Sequence, residues 1–317
     1  MTLVQVALDL TSLEEALDVA RSCVEAGVQV LEAGTPLIKA EGERAIRALS
    51  EEFPERLIVA DTKTMDVGEL EAKMVLEAGG DVGCVLGAAP EETISSFVGE
   101  MHRNAAGALV DTIGCDPEDV MEKLSRIEEP PDYLLLHAAI DEPIHGGELL
   151  ENANVDDIDV GLAVAGGLTP ERIDEIDGVD LIIVGGYITG AEDPEEAARE
   201  VLEAAGSEPY RYRPDPSDAE FLRSIRRYDV VAAIDPGSEV LNAALNVLEW
   251  RRPGLEVAEA GDPDEVPDGG DVLIVKGADG WSGEDLKKAV GGFRKVILVA
   301  EDNVLKLHGI ADAVVEF

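Results

Sequence analysis

The chain has 317 residues, 45% of them hydrophobic, and carries 68 acidic against 25 basic side chains for a net charge of −43. That length exceeds one small domain and suits a barrel of about 200 residues with a smaller companion. Such an excess of negative charge argues against nucleic acid and against an anionic membrane as partners, because both would be repelled.

No apolar run reaches the ~20 residues that a bilayer-spanning helix needs. The chain enters a strand pattern directly at Thr2-Leu3-Val4-Gln5, with no basic leader, so a cytoplasmic location is expected. The acids are spread along helical segments and form no single tail, as on a solvated folded surface. Glutamine occurs only at Gln5 and Gln29, a depletion of heat-labile amides that points to a salt-rich or hot cell interior. Cys23, Cys84 and Cys115 are odd in number and in no metal spacing, which predicts buried free thiols.

Taken in order, strand-like apolar runs fall at residues 4–8, 28–32, 57–60, 82–86, 107–110, 133–137, 160–165 and 181–184. Helical periodicity fills the intervals, and the first helix is preceded by the capping candidates Thr11 and Ser12 with Glu15 behind them. Eight strands alternating with helices predict an α/β fold, a (β/α)8 TIM barrel over residues 1–206. A proline-bearing segment, 207–217, reads as a linker. Beyond it, strand-like runs at 230–234, 255–258, 272–275, 296–299 and 313–315 alternate with helical candidates at 218–228, 238–250, 283–293 and 303–307. That pattern predicts a small doubly wound α/β domain over 218–317.

Barrels of this type build their sites at the C-terminal ends of the strands, which gathers Asp9, Glu32, Asp61, Lys63, Asp111 and His137 around one mouth. The third strand runs into Asp61-Thr62-Lys63-Thr64-Met65-Asp66. Asp61 and Lys63 share a strand face, so two opposite charges leave a buried strand together and must pair, bind metal or face a ligand. Glycine pairs follow the seventh and eighth strands, at Gly166-Gly167 and Gly185-Gly186, where such barrels close backbone N–H groups on a phosphate. His102, His145 and His308 stand apart from these motifs and are expected on the surface or in loops.

The segments Val6-Ala7-Leu8-Asp9, Glu32-Ala33-Gly34-Thr35-Pro36-Leu37-Ile38, Asp61-Thr62-Lys63-Thr64-Met65-Asp66, His137-Ala138-Ala139-Ile140-Asp141 and Gly185-Gly186-Tyr187-Ile188-Thr189-Gly190-Ala191 resemble the orotidine-5′-phosphate decarboxylase superfamily. Within it the likeness is to the 3-hexulose-6-phosphate synthases. The D-x-K-x-x-D motif marks the superfamily, and E-x-G-T-P-L-I with G-G-x-I-T-G-A narrows it. The related 3-keto-L-gulonate-6-phosphate decarboxylases usually carry an Arg soon after the strand-six His and another after strand eight; neither is present here.

The resemblance implies an aldehyde-lyase that joins formaldehyde to ribulose 5-phosphate, or runs the reverse cleavage, with Mg2+ (or Mn2+) and an enediolate intermediate. It implies Glu32 and Asp61 as metal ligands, Lys63 as the cation beside the intermediate and His137 as the acid/base. Asp9 and Asp111 would hydrogen-bond at the mouth. Asp66 would be inserted into the neighbouring subunit's site, in a homodimer with shared sites. The alternatives are a keto-sugar-phosphate decarboxylase on the same barrel and a non-catalytic sensor or scaffold.

The second domain resembles, more faintly, the sugar-isomerase (SIS) domain of the 6-phospho-3-hexuloisomerases. Its phosphate loops are replaced by Asp235-Pro236-Gly237-Ser238 and by Lys276-Gly277-Ala278-Asp279-Gly280-Trp281-Ser282-Gly283-Glu284. An aspartate and a tryptophan in a phosphate cradle oppose binding by charge and bulk, so a degenerate or repurposed domain is expected.

Overall fold

The computed structural model describes residues 2–138, 160–234, 236–253, 257–267, 269–300, 307 and 310–317. The first eight strands are β1 (Leu3–Leu8), β2 (Val30–Ala33), β3 (Leu57–Thr64), β4 (Val82–Leu86), β5 (Gly107–Asp111), β6 (Tyr133–His137), β7 (Gly161–Ala165) and β8 (Leu181–Val184). Each is hydrogen-bonded to the next, and β8 pairs in parallel with β1 to close the barrel.

Side chains alternate across each strand, so one sequence parity packs outward and the other inward. The outward set, including Val4, Val6, Leu8, Leu31, Ile58, Ala60, Val110, Leu134, Leu136 and Val184, forms one apolar cluster with Ala16, Ala20 and Cys23 of the helix Leu13–Ala26. The inward set contains Gln5, Ala7 and Asp9, then Glu32, Val59, Asp61, Lys63, Cys84, Leu109, Leu135 and His137, which line one cavity. This division lets the strands be almost wholly buried while polar groups collect at a single mouth. Ser12 caps the first helix as expected, its hydroxyl accepting from the Glu15 backbone N–H.

Strand β3 runs to Thr64, past the expected end at Ala60, because it is bulged. Its register against β4 shifts between Ala60 and Thr64, and Lys63 adopts φ 45°. A left-handed residue without glycine costs roughly 1–2 kcal/mol, and bulges re-aim side chains next to active sites.

The chain divides into two compact units, Met1–His102 with Ala106–Arg211, and Arg103–Ala105 with Tyr212–Phe317. The barrel unit therefore runs past Gly206 into the expected linker. Gln29 Nε2 donates to Ser207 Oγ at 3.1 Å and to the Glu208 carbonyl at 2.7 Å. The Tyr210 N–H donates to the Gly27 carbonyl at 2.8 Å, and the Arg56 guanidinium lies 4.6 Å from the Tyr210 ring centroid. Gly27 is required there: it has φ 106°, and a Cβ would meet the Pro209 Cβ at 2.6 Å.

The second unit is a parallel sheet of β9 (Val230–Ile234), β10 (Val257–Ala260), β11 (Gly270–Val275), β12 (Phe293–Ala300) and β13 (Ala313–Glu316) in the order β10-β11-β12-β9-β13. Val230, Ala232 and Ile234 pack on one face with Trp281, Leu286 and Ala289. Val231 and Ala233 pack on the other with Phe221, Leu222, Ile225, Ala244 and Leu248. Both faces are covered, as a doubly wound sheet requires. Strand β10 runs on to Ala260, past the expected end at 258, residues 255 and 256 lying outside the described residues, and the helix expected over 283–293 ends at Val290, since Phe293 opens β12. The helix expected over 303–307 lies outside the described residues save for Leu307.

Candidate active site

The inward residues bring most of the expected site together in a cavity of about 710 Å3 at the C-terminal mouth of the barrel. Lys63 is its electrostatic centre. Its ammonium lies 2.7 Å from Asp111 Oδ2 and 3.0 Å from Asp61 Oδ2. Burial works against its charge, while the Asp61 and Asp111 carboxylates work for it, and its pKa ends above the ordinary lysine value. Lys63 is therefore cationic throughout the physiological range.

Asp111 is fully buried at the end of β5 and joins two partners. Besides Lys63, it faces His137 Nδ1 at 3.0 and 3.1 Å from its two oxygens. Burial alone would raise its pKa, but the hydrogen bond and charge of His137, followed by those of Lys63, hold it below the usual value. A carboxylate only accepts, so Nδ1 carries a proton toward Asp111, and Nε2 is the ring nitrogen not engaged by it. The Ile113 N–H also donates to Asp111 Oδ1, at 2.8 Å.

Asp61 is oriented by Thr35, whose hydroxyl lies 2.6 Å from Asp61 Oδ2 and 2.9 Å from the Asp61 carbonyl. Glu32 is buried below it, and Gln5 Nε2 donates to its Oε2 at 2.5 Å. Burial, then the charges of Asp61 and Asp9, pushes the Glu32 carboxyl well above its ordinary value. Asp9 is raised too, by burial and then by Asp61. It packs where side chains are absent: a Cβ on Gly34 would meet Asp9 Oδ1 at 2.3 Å. The glycine of the E-x-G-T-P motif thus makes room for the Asp9 carboxylate.

The charges of Asp9 and Asp61 act on Glu32 and that of Asp61 on Asp9, and all their donors are oxygens, the ligand type a hard divalent cation takes. The residues fit Mg2+. A different trio, Asp61, Cys84 and Asp111, has ligand atoms within 4.8 Å of one another. Lys63 already supplies the positive charge there. The buried Cys84 thiol is pushed well up by burial and then by Asp61, and its soft sulfur is a poor ligand for a hard ion.

Gly166, Gly167, Gly185 and Gly186 line the same cavity. Gly166 has φ 114°, and a Cβ there would meet the Ala138 carbonyl at 2.3 Å. In the short helix Gly186–Thr189 the Ile188 and Thr189 N–H groups bond the Gly185 carbonyl, so only the Gly186 and Tyr187 amides precede the helical bonding.

Asp66 is not brought into its own chain's cavity. It is exposed, and its Oδ1 accepts from the Val67 N–H at 2.8 Å. The same stretch of chain carries exposed apolar side chains: Met65 at 49%, Val67 at 54%, Leu70 at 57% and Met74 at 45%.

His102 corrects an expectation. It is buried, with Nδ1 2.7 Å from Glu129 and Nε2 2.9 Å from Asp132, because its helix turns this face toward the barrel. His145, His308 and residues 139–141 of the strand-six motif lie outside the described residues. Cys23, Cys84 and Cys115 are free thiols, the first two buried and Cys115 partly so.

Gln5, Thr35, Cys84, Thr169 and Tyr187 are among the cavity residues that sequence reasoning assigned no role in the site. The signal for Gln5 was available: it lies two and four positions before Ala7 and Asp9 on one strand face.

A family model for orotidine 5′-phosphate decarboxylase / HUMPS matches residues 2–201. The chain belongs to that family. Among relatives in the orotidine 5′-phosphate decarboxylase / HUMPS family, the 3-hexulose-6-phosphate synthase of Mycobacterium gastri is 38% identical over 208 residues, covering 63% of this chain and 98% of its own. A crystal structure of 3-hexulose-6-phosphate synthase superposes with a TM-score of 0.58 at 36% identity, over 64% of this chain and 99% of that one. KGPDC from Streptococcus mutans superposes at 0.57 with 26% identity, over 65% of this chain and 97% of that one. Among the described residues no helix is long and apolar enough to cross a membrane.

Proposed function

We propose that the barrel is an aldehyde-lyase joining formaldehyde to D-ribulose 5-phosphate to give D-arabino-3-hexulose 6-phosphate, and running the reverse cleavage. One observation carries the reading: Lys63 and His137 share the single buried carboxylate of Asp111 at the mouth of a cavity that also holds Glu32 and Asp61.

In the forward direction His137 Nε2 takes a proton from C1 of ribulose 5-phosphate, leaving an enediolate. The Lys63 ammonium stands where its oxygens become anionic, fixed in advance by Asp61 and Asp111, so no reorganisation is needed as charge develops. The C1 carbon then bonds to the formaldehyde carbon, and His137 returns the proton to the former formaldehyde oxygen. Atoms balance, and no oxidant or reductant is needed. Asp111 keeps the imidazole in the tautomer that begins as a base. Asp9 offers a hydrogen-bonding carboxyl at the rim. A divalent cation, Mg2+ or Mn2+, would be held by Glu32 and Asp61 and would supply further positive charge beside the sugar oxygens. Gly166, Gly167, Gly185 and Gly186 cradle the phosphate with backbone amides.

The site is completed by a second copy of the chain in a homodimer. The exposed apolar side chains Met65, Val67, Leu70 and Met74 lie within nine residues of Asp66 in the chain, and exposed apolar groups so close in sequence support an interface there. Asp66 of the partner subunit then enters the cavity.

Loss of formaldehyde on adding ribulose 5-phosphate and Mg2+, suppressed by chelator, tests the proposal. Release of carbon dioxide from 3-keto-L-gulonate 6-phosphate without formaldehyde consumption would favour the decarboxylase reading instead.

A further inference from the structure

Gln5 is a polar side chain at the bottom of the cavity, with only 1% of its surface exposed. Its two amide atoms have different fates. Nε2 donates to Glu32 Oε2 at 2.5 Å, the arrangement required once Glu32 is ionised on a cation, since a carboxylate then only accepts. Oε1 is buried and has no hydrogen-bond partner among the described residues. A buried amide oxygen left without a donor is costly, and native cores rarely tolerate one unless a bound group fills the role. Gln5 pairs in register with Val30 on β2, two residues below the Ala7–Glu32 pair and on the same strand face as Ala7, so it braces Glu32 from the neighbouring strand.

We propose that Gln5 is a positioning residue of the cation site. Its N–H pins one oxygen of Glu32, leaving the other for a divalent ion, and its carbonyl accepts from an O–H group of the loaded cavity. That group is a water on the ion or a hydroxyl of the sugar phosphate. The inference rests on Glu32 being a cation ligand, as proposed above, and it assigns a role to a residue that touches neither reacting carbon.

The test uses Gln5→Met, which keeps length and volume without hydrogen bonds, and Gln5→Asn, which keeps the amide but shortens its reach. Mn2+ affinity is read by paramagnetic resonance with no sugar present, ribulose 5-phosphate affinity by calorimetry in metal-free buffer, and folding by thermal melting. Both variants should fold and bind Mn2+ about tenfold more weakly or worse, the scale on which partners of metal ligands act. A loss confined to the Mn2+ measurement assigns the O–H group to water; a further loss of sugar affinity without metal assigns it to the sugar. If Gln5→Met does not fold, Gln5→Asn carries the test. Mn2+ affinity within twofold of the parent in a folded variant, unfolding of both variants, or no Mn2+ binding by the parent would each overturn the proposal. A parent that consumes no formaldehyde while the variants still lose Mn2+ affinity would sink the proposed reaction and leave the role of Gln5 standing.

Discussion

Glu32 is set against the stability of its own fold. Its carboxyl is desolvated and faces the charges of Asp61 and Asp9, so its pKa is raised in the folded state. A raised carboxyl binds a proton more tightly folded than unfolded, so its contribution to stability is present at low pH and is lost as pH rises through the folded value. At neutral pH without metal the carboxyl therefore weakens the barrel. Glu32→Gln should melt higher than the parent in chelator at pH 7.5, each kcal/mol appearing as about 2–4 °C for a unit of this size. The same variant should lose the rise in melting temperature that Mg2+ gives the parent. A melting temperature in chelator below the parent's would show that the crowding is relieved in some other way. Asp111 has the opposite sign: its pKa is lowered, so its contribution is present above the ordinary aspartate value and is lost only as pH falls below it. At this scale the sequence was informative for charged residues on the inward parity, since Asp61 with Lys63 and His137 with Asp111 were all named. It gave Asp111 a minor place, because nothing in one strand's sequence says that the next strand's lysine and histidine converge on it.

The elements were legible to the extent that alternation and caps speak. The eight barrel strands could be located because their outward residues are apolar and their inward ends are polar or glycine-rich. The bulge in β3 could not, because Lys63 takes a left-handed conformation without the glycine that usually advertises one. Nor could the docking of residues 207–211, whose three-dimensional partners Gln29, Gly27 and Arg56 are distant in sequence. The turn after β3 has the most functional consequence. Val67 also has φ 50°, and it stands beside Asp66 amid exposed apolar neighbours. A β-branched residue held there needs support from its surroundings, which a subunit interface would supply. Asp66→Ala and Lys63→Ala should each lower activity by about two orders of magnitude or more, the scale for losing a preorganised charge. Mixing the two and allowing subunit exchange should restore activity, since a heterodimer carries one site with both residues intact. A mixture that stays inactive after exchange is demonstrated would mean that Asp66 does not act in the other subunit.

For the whole molecule, all proposed chemistry lies in the first unit, and the second unit gives no sign of a phosphate cradle at its substituted loop. Trp281 and Ala278 of that loop are buried in the sheet's own core, and the Trp281 indole N–H donates to the Gly261 carbonyl at 3.3 Å. A tryptophan used for packing leaves little open backbone for a phosphate. A chain shortened to end after Arg211 should keep its condensation rate in high salt, where self-repulsion of the acidic surface is screened. One ending at Gly206 would lose the contacts that Ser207, Glu208 and Tyr210 make with the barrel and should melt lower. The full-length chain should give no fructose 6-phosphate unless an isomerase is added. The central claim is carbon–carbon bond formation in the barrel, and 13C-labelled formaldehyde tests it most directly. With ribulose 5-phosphate and Mg2+, carbon resonance should show the label arriving in a hydroxymethyl carbon, C1 of a 3-hexulose 6-phosphate, and Lys63→Ala should abolish the signal. Label remaining as hydrated formaldehyde with the parent chain, while ribulose 5-phosphate persists unchanged, would contradict the account.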